Sequence, residues 1–177
     1  MRRNWIALTF GVMGLLANTG VLAESTSRLA DLRGALHAAE KESEGALRSY
    51  RSRLGNDPLW QWVDYAALRR QTSPLSESQV RRFLDRYGDT PASAGLRALY
   101  LRQLATRQDW STFARWYVGS DDVALQCHAL SARIAVNPGD DVLDDALAMW
   151  LTGDSVDSAC DPAFAEFGGL RYLADLM

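Results

Sequence analysis

The chain has 177 residues, 47% hydrophobic and 23% charged, with a formal net charge of −3. A mildly acidic chain of mixed charge lacks the basic footprint of nucleic-acid binders, so no nucleic-acid partner is expected. The length suits one domain with enough residues to bury a core.

The first element is a leader. Arg2 and Arg3 form a positive start, an apolar run extends from Trp5 to Ala17, and Val21-Leu22-Ala23 makes a small-x-small site before Glu24. This pattern predicts a secretory signal peptide over 1–23, cleaved after Ala23. The run is shorter than the ~20 apolar residues that span a bilayer. No later stretch is long and apolar enough for a membrane helix, so no stable span is expected after cleavage. The expected location is outside the cytoplasm, in the periplasm.

From residue 24 onward the chain reads as successive amphipathic helices. Leu, Ala, Arg and Glu dominate, and β-branched runs are absent. Helices are predicted over 26–53 (or two helices meeting near Lys41), 58–71, 76–87, 91–107, 110–117, 122–136, 141–151 and 162–175. Val80, Phe83, Leu84 and Tyr87 mark one buried face, and Leu96, Leu99, Tyr100 and Leu104 another. Leu143, Leu147, Trp150 and Leu151 predict a third, with Trp150 and Leu151 in the core and Thr152-Gly153 ending that helix. Asp57-Pro58, Thr90-Pro91 and Asp161-Pro162 each set a capping side chain before a proline suited to the first turn. Ser76 and Gln79 fit a capping box, and Gly55, Gly88, Gly119 and Gly153 fall where helices should stop. Short connections favour antiparallel helix pairs, the unit of an all-α solenoid. No linker divides residues 24–177, which are expected to form one helical segment.

Few residues suggest chemistry. Asp121/Asp122, Asp140/Asp141 and Asp144/Asp145 are paired carboxylates, the residue type that cleaves glycosidic bonds. Each pair lies near a predicted helix start, however, where the helix dipole favours negative charge. His37 and His128 have no nucleophile and acid arranged around them, and no phosphate loop is present. Cys127 and Cys160 are the only cysteines. In an exported chain they are expected to pair as a disulfide, closing a loop that stabilises by roughly 3–4 kcal/mol in the chain-entropy model. A metal site is not expected, for want of a second ligand pair, and no cofactor is expected. Trp60, Trp62 and Tyr65 crowd one helix, and Trp110, Phe113, Trp116 and Tyr117 another. Core filling is the expectation for these aromatics, with a sugar-stacking surface as the alternative.

Three segments resemble a known family. They are Asp57-Pro58-Leu59-Trp60 with Val63-Asp64-Tyr65; Leu104-Ala105-Thr106-Arg107-Gln108-Asp109-Trp110; and the stretch holding Gln126-Cys127, Trp150-Leu151-Thr152-Gly153 and Ala159-Cys160-Asp161. In residue types and spacing they are similar to the N-terminal helical domain of the soluble lytic murein transglycosylases. The resemblance implies a right-handed α-superhelix of antiparallel helix pairs over 24–177, and the two cysteines fall at the family's spacing. It also implies a lysozyme-like catalytic domain further along a longer protein. That domain would cut the bond between N-acetylmuramic acid and N-acetylglucosamine in peptidoglycan and leave a 1,6-anhydro product. The family's catalytic Glu-Ser pair is followed by Gly-Leu-Met-Gln. Glu42-Ser43 is a Glu-Ser pair without that continuation, so no catalytic residue is carried over. The chain is therefore expected to be a truncated, non-catalytic segment, inactive alone, with peptidoglycan or a cell-wall enzyme as its partner. The alternative is a free-standing scaffold binding either of these.

Overall fold

The computed structural model describes residues 13–137, 139–151 and 157–165, with side chains from residue 24 onward except at 140 and 143. Among the described residues every regular element is helical. Two compact units are formed, Met1–Thr72 and Ser73–Met177. They divide in the Gln71–Ser76 connection, where the sequence reading placed no linker.

The first unit holds α1 (Met13–Glu40), α2 (Glu44–Leu54) and α3 (Trp60–Arg70). The helical pattern over 26–53 breaks beside Lys41. Glu42 takes φ +55° there, and the Ser43 N–H donates back to the Ala38 carbonyl at 2.9 Å, so the chain reverses within three residues. Gly55, at φ +55°, ends α2, and its N–H donates to the Arg51 carbonyl. The helix expected from Pro58 begins instead at Trp60. The Asp57 carboxylate accepts from the Leu59 N–H at 2.9 Å, and the Trp60 N–H donates to the Asp57 carbonyl, which folds Pro58 and Leu59 into a turn. The core joins small residues of α1, Ala35 and Ala39, to Trp60 and Val63 of α3, with Leu47, Tyr50 and Leu54 of α2 alongside. Gly34 makes this approach possible, since a Cβ there would lie 2.3 Å from the Tyr50 hydroxyl oxygen.

The second unit holds α4 (Glu77–Tyr87), α5 (Pro91–Thr106), α6 (Trp110–Trp116), α7 (Val123–Val136), α8 (Asp140–Trp150), a 3₁₀ turn (Ser158–Cys160) and helical residues 161–165. Two of the four predicted caps operate, while Asp57 holds a turn ahead of α3, whose N-cap is Leu59 without a side-chain bond. Ser76 and Gln79 form a capping box, and Gly88 ends α4 at φ +64°. Thr90 accepts from the Ser93 N–H ahead of α5, and Asp109 and Asp122 cap α6 and α7. Such caps each stabilise by roughly 1 kcal/mol. Asp161 makes no comparable cap. The preceding 3₁₀ turn, capped by Asp157, runs straight into 161–165. α5 buries Ala92, Ser93, Leu96, Tyr100, Leu101, Leu104 and Ala105 because it packs against α4, α6 and α7. Both predicted faces hold, with Val80, Phe83, Leu96, Tyr100 and Leu104 buried.

The third predicted face does not hold. Trp150 is 57% exposed and Leu151 69%. α8 instead turns Val142 and Ala146 inward against Leu130 and Ala163, with Met149 partly buried behind them. Residues 142, 146 and 149 repeat at i, i+4 and i+7 as well as 143, 147 and 150 do. Apolar residues cover both faces, so periodicity alone does not choose between them. The small Ala146 permits the closer approach to α7. Thr152-Gly153 and the predicted helix beyond residue 165 lie outside the described residues.

Candidate functional site

Cys127 on α7 and Cys160 at the end of the 3₁₀ turn come together, with Cα atoms 4.7 Å apart and sulfurs in bonding contact. Both are fully buried, packed with Phe164 and flanked by Met149 and Ala159. The Met149 thioether lies 3.3 Å from the Cys127 sulfur and 3.9 Å from that of Cys160. Nothing in the helical pattern of α8 marks Met149 as the third sulfur of this cluster.

Beside the cluster, α6, α7 and α8 border an open groove of about 1080 Å³. Phe113, Tyr117, Leu130 and Met149 form its apolar floor, and Gln126, Arg133, Asp145 and Asp157 bring polar groups to it. Phe113 and Tyr117 stack at 5.7 Å, and burial pushes the Tyr117 hydroxyl pKa up. His128 lies behind the floor, its ring 6.2 Å from that of Trp110. Burial lowers its pKa, which favours the neutral imidazole. His37 is exposed on α1.

Asp122, Asp141 and Asp145, three of the six candidate carboxylates, are engaged in structure. Arg133 reaches Asp141 at 2.7 Å and Asp145 at 2.5 Å, joining α7 to α8. Asp122 accepts from the Leu125 N–H and pairs with Arg102, and the backbone bond is the main cause of its lowered pKa. Asp109 is lowered chiefly by its hydrogen bonds to Thr112, and Asp57 by its bond from Arg28. A general acid for glycoside cleavage needs the opposite, a carboxyl kept protonated by desolvation. Glu42 occupies the exposed turn between α1 and α2. Among the described residues, no three His, Cys, Asp or Glu side chains gather as metal ligands.

The aromatic clusters divide. Trp60 and Phe113 are core. Trp60 donates to Asp64 at 2.9 Å, and Asp64 also receives Arg51 at 2.7 Å. The Arg51 guanidinium lies 4.4 Å from the Trp60 ring centre. Trp62 is 39% exposed and meets Tyr65 edge-on. Trp150 stands against Phe164 at 4.9 Å with more than half its surface open.

No protein-family model matches the chain. It is 24% identical over 168 residues to the soluble lytic murein transglycosylase of Escherichia coli K12, a match covering 91% of this chain and 25% of that protein. The same figures hold for the protein of that name from Escherichia coli O157:H7. Among solved structures, an inactive mutant of the lytic transglycosylase Slt from Pseudomonas aeruginosa superposes with a TM-score of 0.69 at 29% identity, over 77% of this chain and 22% of that one. The 70 kDa soluble lytic transglycosylase of Escherichia coli also gives 0.69, at 21% identity, over 85% of this chain and 24% of that one. The chain is homologous to the soluble lytic murein transglycosylases and spans about a quarter of their length.

Proposed function

We propose that residues 24–177 are a non-catalytic helical segment of the kind that begins a lytic transglycosylase, exported by the leader at 1–23 to work at the cell wall. The observation that carries this reading is what the family-like motif residues do. Asp57 and Asp64 hold Arg28, Arg51 and the Trp60 indole, and Asp109 caps α6. Residues used this way build helix junctions and leave the cleavage of peptidoglycan to another part of a longer protein. Cys127 and Cys160 form a disulfide in the oxidising compartment that the leader implies. The reading is tested by exposing intact sacculi to the purified protein after export. It is expected to begin at Glu24 and to release no 1,6-anhydro-muropeptides. An uncleaved leader, or release of that product, would contradict it.

A second reading, a free-standing scaffold that binds peptidoglycan, is favoured by the exposure of Trp150. An open indole face can stack on a sugar ring. Sedimentation with sacculi separates the readings. Under the second, the protein pellets with them and Trp150→Ala weakens retention at least fivefold.

A further inference from the structure

We propose that the Cys127–Cys160 pair is a redox latch that holds residues 157–165 against α7 and so keeps Asp157 in the lining of the groove between α6, α7 and α8. The inference rests on the proposal that the two cysteines are oxidised in the working protein.

Among the described residues, few side chains of the latched segment are buried. Its 3₁₀ turn is three residues long, too short to persist by itself. Two of its backbone donors, on Ala159 and Cys160, are satisfied locally by Asp157. Apart from Cys160, its fully or nearly buried side chains are Ala163 and Phe164. Ala163 meets Leu130, Val142 and Ala146, and Phe164 meets the sulfur cluster and the edge of Trp150. α7 packs against α5, α6 and α8 as well as against the 3₁₀ turn, and has its own cap at Asp122. The bond thus joins a helix that packs on several neighbours to a short segment, 33 residues later, whose 3₁₀ turn packs on that helix.

The groove feels this directly. Asp157 opens the segment and Met149 touches both sulfurs, and both residues line the groove. A dithiol reductant would open the latch by exchange. It gives two electrons and two protons to the cysteine sulfurs, which become two thiols, and is itself oxidised to a disulfide. Without the bond, Ala163 and Phe164 do not offset the conformational entropy regained by the segment. The segment then leaves α7, and the groove loses Asp157 from its lining.

The test is hydrogen–deuterium exchange by mass spectrometry on the full exported protein, oxidised and after dithiothreitol. Amides of 158–165 should exchange at least tenfold faster after reduction, with those of α4 to α7 changed by less than twofold. The Cys127→Ser/Cys160→Ser variant should match the reduced protein. Equal acceleration through α4 to α7 would make the bond a staple of the whole unit, and overturn the latch. Unchanged exchange at 158–165 would show that apolar packing alone holds the segment, and would also overturn it. Two free thiols in the exported protein before reduction would remove its premise, whatever the outcome with sacculi.

Discussion

Gly34 and Tyr50 lie so close that a methyl group on Gly34 would run into the hydroxyl oxygen and two ring carbons of the tyrosine. A rigid ring cannot yield as a flexible chain end would. Gly34→Ala should therefore destabilise the first unit by about 1–3 kcal/mol. In urea unfolding, Tyr50→Ala should absorb much of that cost, giving a non-additive double-mutant cycle. The carboxylates that hold helix starts and the turn before α3 make a second residue-scale prediction. Asp57, Asp109 and Asp122 have pKa values lowered by folding. Their stabilisation is present in full above the unfolded carboxylate value of about 3.9 and is lost as pH falls through each folded value. Stability should fall below about pH 4. Asp122→Ala should cost about 0.5–2 kcal/mol at pH 6 and distinctly less at pH 3, which denaturation at the two pH values would measure. The caps at Ser76 and Thr90 were legible because Ser and Thr before a helix have one dominant use, whereas Asp57 was read as a cap and holds a turn instead. The Gly34–Tyr50 contact was not, because a glycine inside a helix does not name its neighbour.

At the scale of elements, α2 to α8 stand within a few residues of where periodicity and capping placed them, including the interruption beside Lys41, while α1 begins at Met13 instead of near residue 26 and the helix expected over 162–175 is described only to residue 165. α8 is the exception in its facing. Its apolar residues cover more than one stripe, and the choice fell to Ala146, whose small side chain fits against Leu130 and Ala163. That choice is made by the partner helix and is invisible in α8 alone. The facing predicts unequal costs. Trp150→Ala should lower stability by about 1 kcal/mol or less, chiefly the edge contact with Phe164. Phe113→Ala, at a fully buried site, should cost about 3–5 kcal/mol. Thermal or urea unfolding of the two variants checks the order, and a Trp150→Ala loss as large as that of Phe113→Ala would show the indole to be core.

At the largest scale, the helical fold of the described residues was readable from composition and pattern, and the matched parts of the solved transglycosylases share it. The division between Thr72 and Ser73 was not. Gln71–Ser76 is too short and too ordinary in composition to read as a linker, and only the packing of each helix set reveals the boundary. The candidate chemistry was legible chiefly as a set of carboxylates, and the fold engages one member of each of the three pairs. Asp141 and Asp145 bind Arg133, Asp122 caps α7, and Glu42 sits in an exposed turn. The most direct test of the account is therefore digestion of intact sacculi by the purified chain, read as 1,6-anhydro-muropeptides by mass spectrometry. The account predicts no product above a buffer control, with wild type and Glu42→Gln indistinguishable. Release of anhydro product by the wild type, abolished in Glu42→Gln, would contradict it.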